Sequence, residues 1–224
     1  MKPFIFQHGT TPWPAELTLL HVYAIVDLES NPELGQLIKE VRAATQGAPL
    51  AHIGNDWFHI TLYQHAAKPA DQVTAAERHT LHAHLQQHLS HIAPFTVTVG
   101  PALTYPSGLL LDLHPDEPLN ALRRAVEDSA AVALDAADNT YDTGVLHLTE
   151  SYATAEVSLP QLHQIQRELR RVRPSHAPLH INRVDVVDVT ANTQATTITW
   201  TSLATILLGS PGTPCLLYTS EAAI

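Results

Sequence analysis

Two segments of the chain carry the same short motif, and 88 residues separate them. Each is an apolar, strand-like run, with His59-Ile60-Thr61 in the first and His147-Leu148-Thr149 in the second. A strand and a helix are predicted before each motif and a helix after it, so the chain reads as a duplicated β-α-β-α unit. Two such units predict one bilobal α/β domain over residues 1–214, with a ligand site between the lobes. On this pattern alone, the chance alternation of strands and helices in any α/β chain stays an open alternative.

Hydrophobic spacing predicts the remaining elements of both units. Strands show alternating or continuous apolar residues, and helices show apolar residues three or four apart. Pro32 opens the first helical pattern and Pro94 follows the second. An Ala-Pro pair precedes a predicted strand in each half, at Ala93-Pro94 and Ala177-Pro178. We predict strands at residues 17–28, 57–63, 95–99, 108–113, 145–152, 179–189 and 196–207, and helices from residue 32 and at 71–92, 118–134 and 160–172.

The composition limits the classes of partner. The 22 Asp and Glu outnumber the 12 Lys and Arg, which gives a net charge of −10 at pH 7. An acidic surface repels a phosphate backbone, so we expect no duplex DNA partner. Hydrophobic residues make up 45% of the chain, enough for a buried core. No apolar run reaches membrane-spanning length and no signal-like start is present, so we expect a cytoplasmic protein with no membrane partner.

The C-terminal end contains the single cysteine, Cys215. One cysteine excludes an intrachain disulfide and a Cys-based zinc cluster. Residues 215–224 follow a Gly209-Ser210-Pro211-Gly212 stop, and we assign them to a tail outside the domain. The tail begins Cys-Leu-Leu-Tyr-Thr-Ser, which resembles a translated sequencing adapter, so a non-native origin is an open alternative.

Each motif places an imidazole beside a hydroxyl. Residues i and i+2 of a strand share a face, so His59 lies beside Thr61, and His147 lies beside Thr149. One neutral imidazole can take a proton from an attacking water or hydroxyl, while a second, protonated imidazole gives a proton to the leaving oxygen. Threonine hydroxyls can donate to the phosphate oxygens. We predict these four residues as the catalytic residues of a phosphodiester reaction that needs no metal or other cofactor.

The same alternation extends one step further along each strand. It places Tyr63 on the face of His59 and Ser151 on the face of His147. An aromatic face accepts any base, so Tyr63 could stack on a nucleobase at the rim of the cleft, with simple packing as the equal alternative. We predict both residues as substrate-binding.

With both motifs identified, the sequence resembles the two-histidine (2H) phosphoesterase superfamily, whose hallmark is a pair of His-x-Ser/Thr-x motifs. Within it, the sequence is most similar to bacterial proteins described as 2'-5' RNA ligase or RNA 2',3'-cyclic phosphodiesterase. The resemblance covers residues 57–61, 94–101 and 117–123 and extends to the final strand at Trp200. Two positions depart from the family pattern. Glu150 stands where an apolar residue is usual, and Ser151-Tyr152-Ala153 stands where an Arg often follows the second motif.

The resemblance implies both a fold and an activity. The fold is α/β (α+β) and bilobal, with two antiparallel-rich sheets flanked by helices around a central cleft that holds the four motif residues. The activity is metal-independent hydrolysis of 2',3'-cyclic phosphate ends of RNA or nucleotides, or of related 2'-5' phosphodiesters. The product would retain a 2'-phosphate, and the reverse direction would be 2'-5' ligation. We expect a monomer with a small nucleotide or RNA-end substrate.

A nucleotide-binding or sequestering module with little turnover is the alternative function. Binding alone needs no pair of proton-transfer groups, so the two complete motifs favour an enzyme.

Two further clusters of titratable residues have ordinary explanations. Three histidines follow helical spacing and could bind a metal, but no acid lies on that face, and we interpret them as a solvated flank. Four arginines lie near a predicted helix end, where cations complement the helix dipole, and we favour this role over a landing patch for an RNA end. Arg183 is a further possible phosphate contact. The clusters are His84, His88 and His91, and Arg167, Arg170, Arg171 and Arg173.

Overall fold

The computed structural model describes residues 1–8, 11–14, 16–134 and 144–210. The predicted tail at 215–224 lies outside these residues. The strands are β1 (Gln7–His8), β2 (Thr11–Pro12), β3 (Thr18–Ile25), β4 (Leu50–His52), β5 (His59–Gln64), β6 (Phe95–Tyr105), β7 (Gly108–His114), β8 (Leu148–Ala153), β9 (Ala177–Ile181), β10 (Arg183–Asn192) and β11 (Thr197–Leu207). The α-helices are α1 (Pro32–Ala44), α2 (Ala75–Leu89), α3 (Asp116–Ala133) and α4 (Leu159–Leu169).

Two antiparallel sheets form the body of the molecule. One has four strands in the order β11-β10-β3-β5, and the other has five in the order β4-β8-β7-β6-β9. The first motif lies on β5 and the second motif leads into β8, so each sheet carries one motif at or next to its edge. Helices α2 and α3 pack on the four-stranded sheet, and α1 and α4 pack on the five-stranded one. This arrangement confirms the predicted mixed α/β fold with two antiparallel sheets flanked by helices.

The two halves of the sequence exchange elements between the sheets. Strand β6 follows the first motif but pairs with β7 of the second half, and β10 follows the second motif but pairs with β3 of the first half. The strand predicted at 179–189 is therefore two strands, because the chain leaves one sheet at Asn182 and enters the other. No glycine or proline marks this change of sheet, and apolar residues alternate on both sides of it. The local sequence therefore gives no sign of the change.

Local sequence explains how the helices begin and which face they bury. Pro32 occupies the first turn of α1, whose apolar positions 34, 37, 38 and 41 are all buried. Thr74 caps α2 by accepting a hydrogen bond from the Glu77 backbone N–H at 3.2 Å, and the Glu77 carboxylate accepts from the Thr74 N–H at 2.8 Å. This cap starts the helix at Ala75, four residues after the predicted start.

Among the described residues, none of the helices combines the length and the apolar character that a bilayer crossing requires.

Candidate active site

The two motif strands bring four predicted residues to one cleft. His59, Thr61, His147 and Thr149 all line a cavity of about 420 Å³ between the two sheets. His59 is 8% exposed, whereas His147 and both threonines are half-buried. Residues that are 88 positions apart in sequence are thus neighbours across a single cleft, and Ser151 lines it as well.

Both motif histidines are held in the same way. The Nδ1–H of His59 donates to the carbonyl oxygen of Trp57 at 2.9 Å, and the Nδ1–H of His147 donates to the carbonyl oxygen of Val145 at 2.8 Å. A carbonyl oxygen can only accept, so each Nδ1 carries a proton. In both rings Nε2 is therefore the atom that remains for proton exchange with a ligand.

Aromatic rings surround the imidazole of His59. The Tyr23 ring stacks on it with centroids 4.0 Å apart, and the Trp200 ring meets it edge-on at 5.1 Å. Trp57 in turn packs edge-on against Trp200 at 4.8 Å. Burial lowers the pKa of His59 to about 4; the hydrogen bond to Trp57 acts in the opposite direction, and the nearby His147 lowers the pKa further. His59 is therefore neutral near pH 7.

Tyr63 does not lie on the face predicted for it, because β5 contains a β-bulge. In the pairing of β3 with β5, Thr61 lies opposite Tyr23 and Tyr63 lies opposite Val22, so Leu62 is an extra residue. The extra residue reverses the alternation, and Tyr63 turns to the other face of the sheet. There its hydroxyl lies 3.2 Å from Nδ1 of His65, and Tyr63 is not among the residues that line the cleft. Gln64 takes the place in the cleft that alternation predicted for Tyr63.

A second bulge occupies the corresponding place in the other sheet. Thr149 lies opposite Leu110 and Ser151 lies opposite Leu109, so Glu150 is the extra residue of β8. The Glu150 side chain is fully buried, and its carboxylate accepts from Nε of Arg42 at 3.3 Å. Nδ1 of His52 lies 2.9 Å from the same carboxylate. The departure from the family pattern at Glu150 is thus an internal ion pair that ties the bulge to α1 and β4.

The cleft-lining residues that sequence reasoning missed include His21, Gln64 and Tyr152. His21 and Gln64 face the cleft from β3 and β5, and Tyr152 lies on β8 beyond the second bulge. His21 is a polar residue inside an otherwise apolar run, which is a signal that could have identified it. Gln64 and Tyr152 could not be placed, since both follow bulges that local alternation does not predict.

Neither additional cluster of titratable residues lies at the cleft. All four arginines near the end of α4 are exposed, and Arg171 pairs with Glu168 at 3.0 Å. On α2, Nδ1 of His88 lies 2.9 Å from the hydroxyl of Ser129, so that histidine faces α3. Within the part of the chain that the structure describes, no Lys, Arg, Asp or Glu lines the cleft, and Arg183 lies outside it as well. The acidic side chains of the described residues therefore lie outside the cleft.

Comparison with known proteins gives one family. The family model described as the 2'-5' RNA ligase superfamily matches residues 30–193, which include both motifs. No curated protein matches the sequence significantly.

Solved structures share the fold at low sequence identity. Escherichia coli LigT complexed with 3'-AMP superposes with a TM-score of 0.57 and 14% identity, covering 86% of this chain and 99% of LigT. A structure described as a phosphoesterase gives 0.56 and 14%, with 86% and 99% covered. The protein TT0787 of Thermus thermophilus gives 0.53 and 16%, with 87% and 100% covered.

Proposed function

Because the chain belongs to the 2'-5' RNA ligase superfamily, the two-histidine phosphoesterases, we propose that it hydrolyses 2',3'-cyclic phosphates at the ends of RNA or of nucleotides. The observation that carries the proposal is the pair of histidines at one cleft, each with Nδ1 held by a backbone carbonyl and Nε2 left for proton exchange. Two such groups supply the base and the acid that hydrolysis of a phosphodiester needs. The similar LigT has been crystallised with 3'-AMP, which favours a nucleotide ligand.

We assign the base to His59. A base must be unprotonated before the reaction, and the aromatic, buried surroundings of His59 favour its neutral form. Nε2 of His59 takes a proton from water as the water oxygen bonds to phosphorus. The bond from phosphorus to one ribose oxygen breaks, and protonated His147 gives its Nε2 proton to that oxygen. The products are a phosphate monoester and a free hydroxyl. The reaction leaves His59 protonated and His147 neutral. His59 then releases its proton to solvent and His147 takes one from solvent, which restores the starting state.

The two threonines act on the phosphate. Thr61 and Thr149 lie two residues beyond their histidines on the cleft wall, so their hydroxyls can donate to the non-bridging oxygens. These hydrogen bonds strengthen as charge develops on the oxygens in the transition state. No Lys or Arg lines the described cleft, so the phosphate depends on these hydroxyls and on His147. A small substrate with one phosphate fits this set of donors better than a long polyanion.

The direct test is turnover of 2',3'-cyclic nucleotides by the purified protein in excess chelator. We expect hydrolysis to a single monophosphate isomer, the 2'-phosphate, identified by phosphorus NMR. His59→Ala and His147→Ala should each lower kcat by about 100-fold or more, the usual contribution of an acid or base. His180→Ala, an exposed histidine on β9, is the matched control and should retain activity. Binding without turnover in the wild type would favour the sequestering alternative, and activity that chelator abolishes and metal restores would contradict the acid/base mechanism.

A further inference from the structure

One aromatic ring of the cleft is open to solvent. Tyr105, the last residue of β6, lines the cavity and is 53% exposed. Every other Phe, Trp and Tyr among the described residues is buried or half-buried. Aromatic side chains bury large apolar areas, and ligand pockets are commonly lined by them. The Tyr105 ring is therefore accessible to a ligand in the cleft.

His147 and Tyr105 are neighbours in the cleft. The centroids of their rings lie 6.3 Å apart, and the planes of the two rings differ by 22°. This separation is within the range at which aromatic rings interact. Tyr105 therefore lies beside the imidazole that gives its proton to the leaving ribose oxygen in the proposed reaction.

Backbone hydrogen bonds hold Tyr105 in this place. Tyr105 begins the turn that joins β6 to β7, and both residues within the turn are tied to other segments. The carbonyl oxygen of Pro106 accepts from the Lys2 N–H at 2.8 Å. The carbonyl oxygen of Ser107 accepts from the Ala153 N–H at the same distance. The backbone at Tyr105 is thus fixed before a ligand binds, which lowers the entropic cost of binding.

An apolar surface connects Tyr105 with the phosphate-binding threonine of the second motif. Thr149 lies opposite Leu110 on β7, and Leu110 lies opposite Leu103 on β6, so the three share one face of the five-stranded sheet. Tyr105 is two residues beyond Leu103 and belongs to the same face. Leu103 is exposed and Leu110 is half-buried. The wall beside the proposed phosphate site is therefore apolar and open, which suits a planar ring.

The proposed chemistry places the base of the substrate on this side of the cleft. The attacking and leaving oxygens lie roughly in line through phosphorus, on opposite sides of it. His59 takes a proton from the attacking water and His147 protonates the leaving oxygen, so the ribose extends from the phosphate on the side of His147. The base is joined to that ribose, and Tyr105 is the exposed aromatic ring there.

We propose that Tyr105 is a stacking platform for the base, and that the protein thereby prefers 2',3'-cyclic nucleotides to cyclic phosphates without a base. The inference rests on the proposed function for the position of the ribose. An aromatic face accepts every base, so the platform selects for the presence of a base and not for its identity. Tyr105 thus supplies the aromatic face that the sequence predicted for Tyr63, which lies on the other side of its own sheet.

The test compares kcat/KM for each of the four 2',3'-cyclic nucleotides with kcat/KM for methyl riboside 2',3'-cyclic phosphate, which has the same reacting bonds and no base. We expect Tyr105→Ala to lower the ratio of the two values by about 5- to 150-fold for all four bases, the usual contribution of one stacked base. Tyr105→Phe keeps the ring and should keep the ratio within about 3-fold of the wild type. A ratio within one preparation does not depend on the fraction of folded protein, so partial misfolding cannot imitate the result.

Leu159→Ala is the matched control, because Leu159 is an exposed apolar residue on α4 that lies outside the cleft. Its ratio should equal that of the wild type. A ratio that Tyr105→Ala leaves unchanged, or that Tyr105→Phe lowers as far as Tyr105→Ala does, would overturn the platform.

Calorimetry with 3'-AMP and with inorganic phosphate separates this inference from the proposed reaction. If the wild type turns over no cyclic phosphate but binds 3'-AMP more tightly than phosphate, and Tyr105→Ala loses that difference while Tyr105→Phe keeps it, the reaction is wrong and the platform stands. Without turnover, a wild type that binds 3'-AMP no better than phosphate, or a difference that Tyr105→Ala retains, would overturn the platform as well.

Discussion

The ring of Tyr23 lies nearly parallel to the imidazole of His59, at 22° and with the ring centroids 4.0 Å apart. Tyr23 is fully buried on β3, so the stack fixes the plane of the imidazole from one side while the Trp57 carbonyl holds Nδ1. The orientation of the proposed base thus depends on a residue with no proton-transfer role of its own.

Replacing the stacked ring should lower kcat without removing any proposed catalytic group. We expect Tyr23→Leu to lower kcat by about 10- to 100-fold, the usual effect of a small displacement of a catalytic group. Tyr23→Phe keeps the ring and should remain within about 3-fold of the wild type on the same grounds. Steady-state kinetics at matched folded fractions checks both, and wild-type kcat in Tyr23→Leu would show that the stack does not position His59.

The depressed pKa of His59 makes folding stability depend on pH. Between pH 6.5 and about 4 the unfolded chain binds a proton at residue 59 and the folded chain does not. Above pH 6.5 His59 therefore does not reduce the free energy of unfolding. As the pH is lowered toward 4, His59 reduces the free energy of unfolding by up to about 3 kcal/mol. Urea unfolding at several pH values measures the fall.

His59→Asn is the comparison for this pH dependence, because asparagine is polar and does not titrate. The variant should show a smaller loss of stability on acidification, and the remaining loss should include the contribution of His21, whose pKa is also lowered by burial. If the free energy of unfolding depended on pH equally in the variant and the wild type, His59 would have the same pKa in the folded and unfolded states. The same pKa predicts that the acid limb of kcat/KM lies near pH 4 rather than near 6.5.

The buried carboxylate of Glu150 should make the loss of Arg42 costly. Arg42→Ala leaves a fully buried negative charge beside His52 alone, and we expect it to destabilise the fold by about 3–5 kcal/mol. Glu150→Gln removes the charge and leaves Arg42, which is 29% exposed, in partial contact with water. That variant should cost about 1–3 kcal/mol. Chemical denaturation measures the loss of stability in both variants. A loss in Glu150→Gln as large as that in Arg42→Ala, or larger, would contradict the account of the ion pair.

Two glycines should respond to alanine with opposite signs. A Cβ at Gly108 would collide with the carbonyl oxygen of Ser151 on the neighbouring strand, so Gly108→Ala should destabilise the protein by about 1–3 kcal/mol and disturb the cleft. A Cβ at Gly35 on α1 meets only the Leu28 carbonyl oxygen at 3.8 Å, and Gly35→Ala should stabilise the helix by about 0.5–1 kcal/mol. Thermal unfolding measures the change in Tm of both variants. An unchanged Tm in Gly108→Ala would mean that β7 and β8 can separate.

Local pattern was sufficient for most of the elements. The apolar spacing of α1 and the alternation of β5 up to Thr61 follow from side-chain periodicity, so these predictions needed no knowledge of partners. Tyr63 was misplaced because one extra residue, Leu62, reverses the alternation. The strand predicted at 179–189 was misjoined because both parts of it are apolar and alternating, although they belong to different sheets.

By itself, the sequence determined two His-x-Thr motifs in strand-like runs, the β-α-β-α order around them and a resemblance to one family. Only the tertiary structure decided that the halves exchange strands, that both motif strands bulge after the threonine, and that His21 and Gln64 lie in the cleft. The physical reason is that periodicity depends on neighbours within a few residues. Strand pairing, bulges and burial depend instead on contacts between segments that are far apart in the chain.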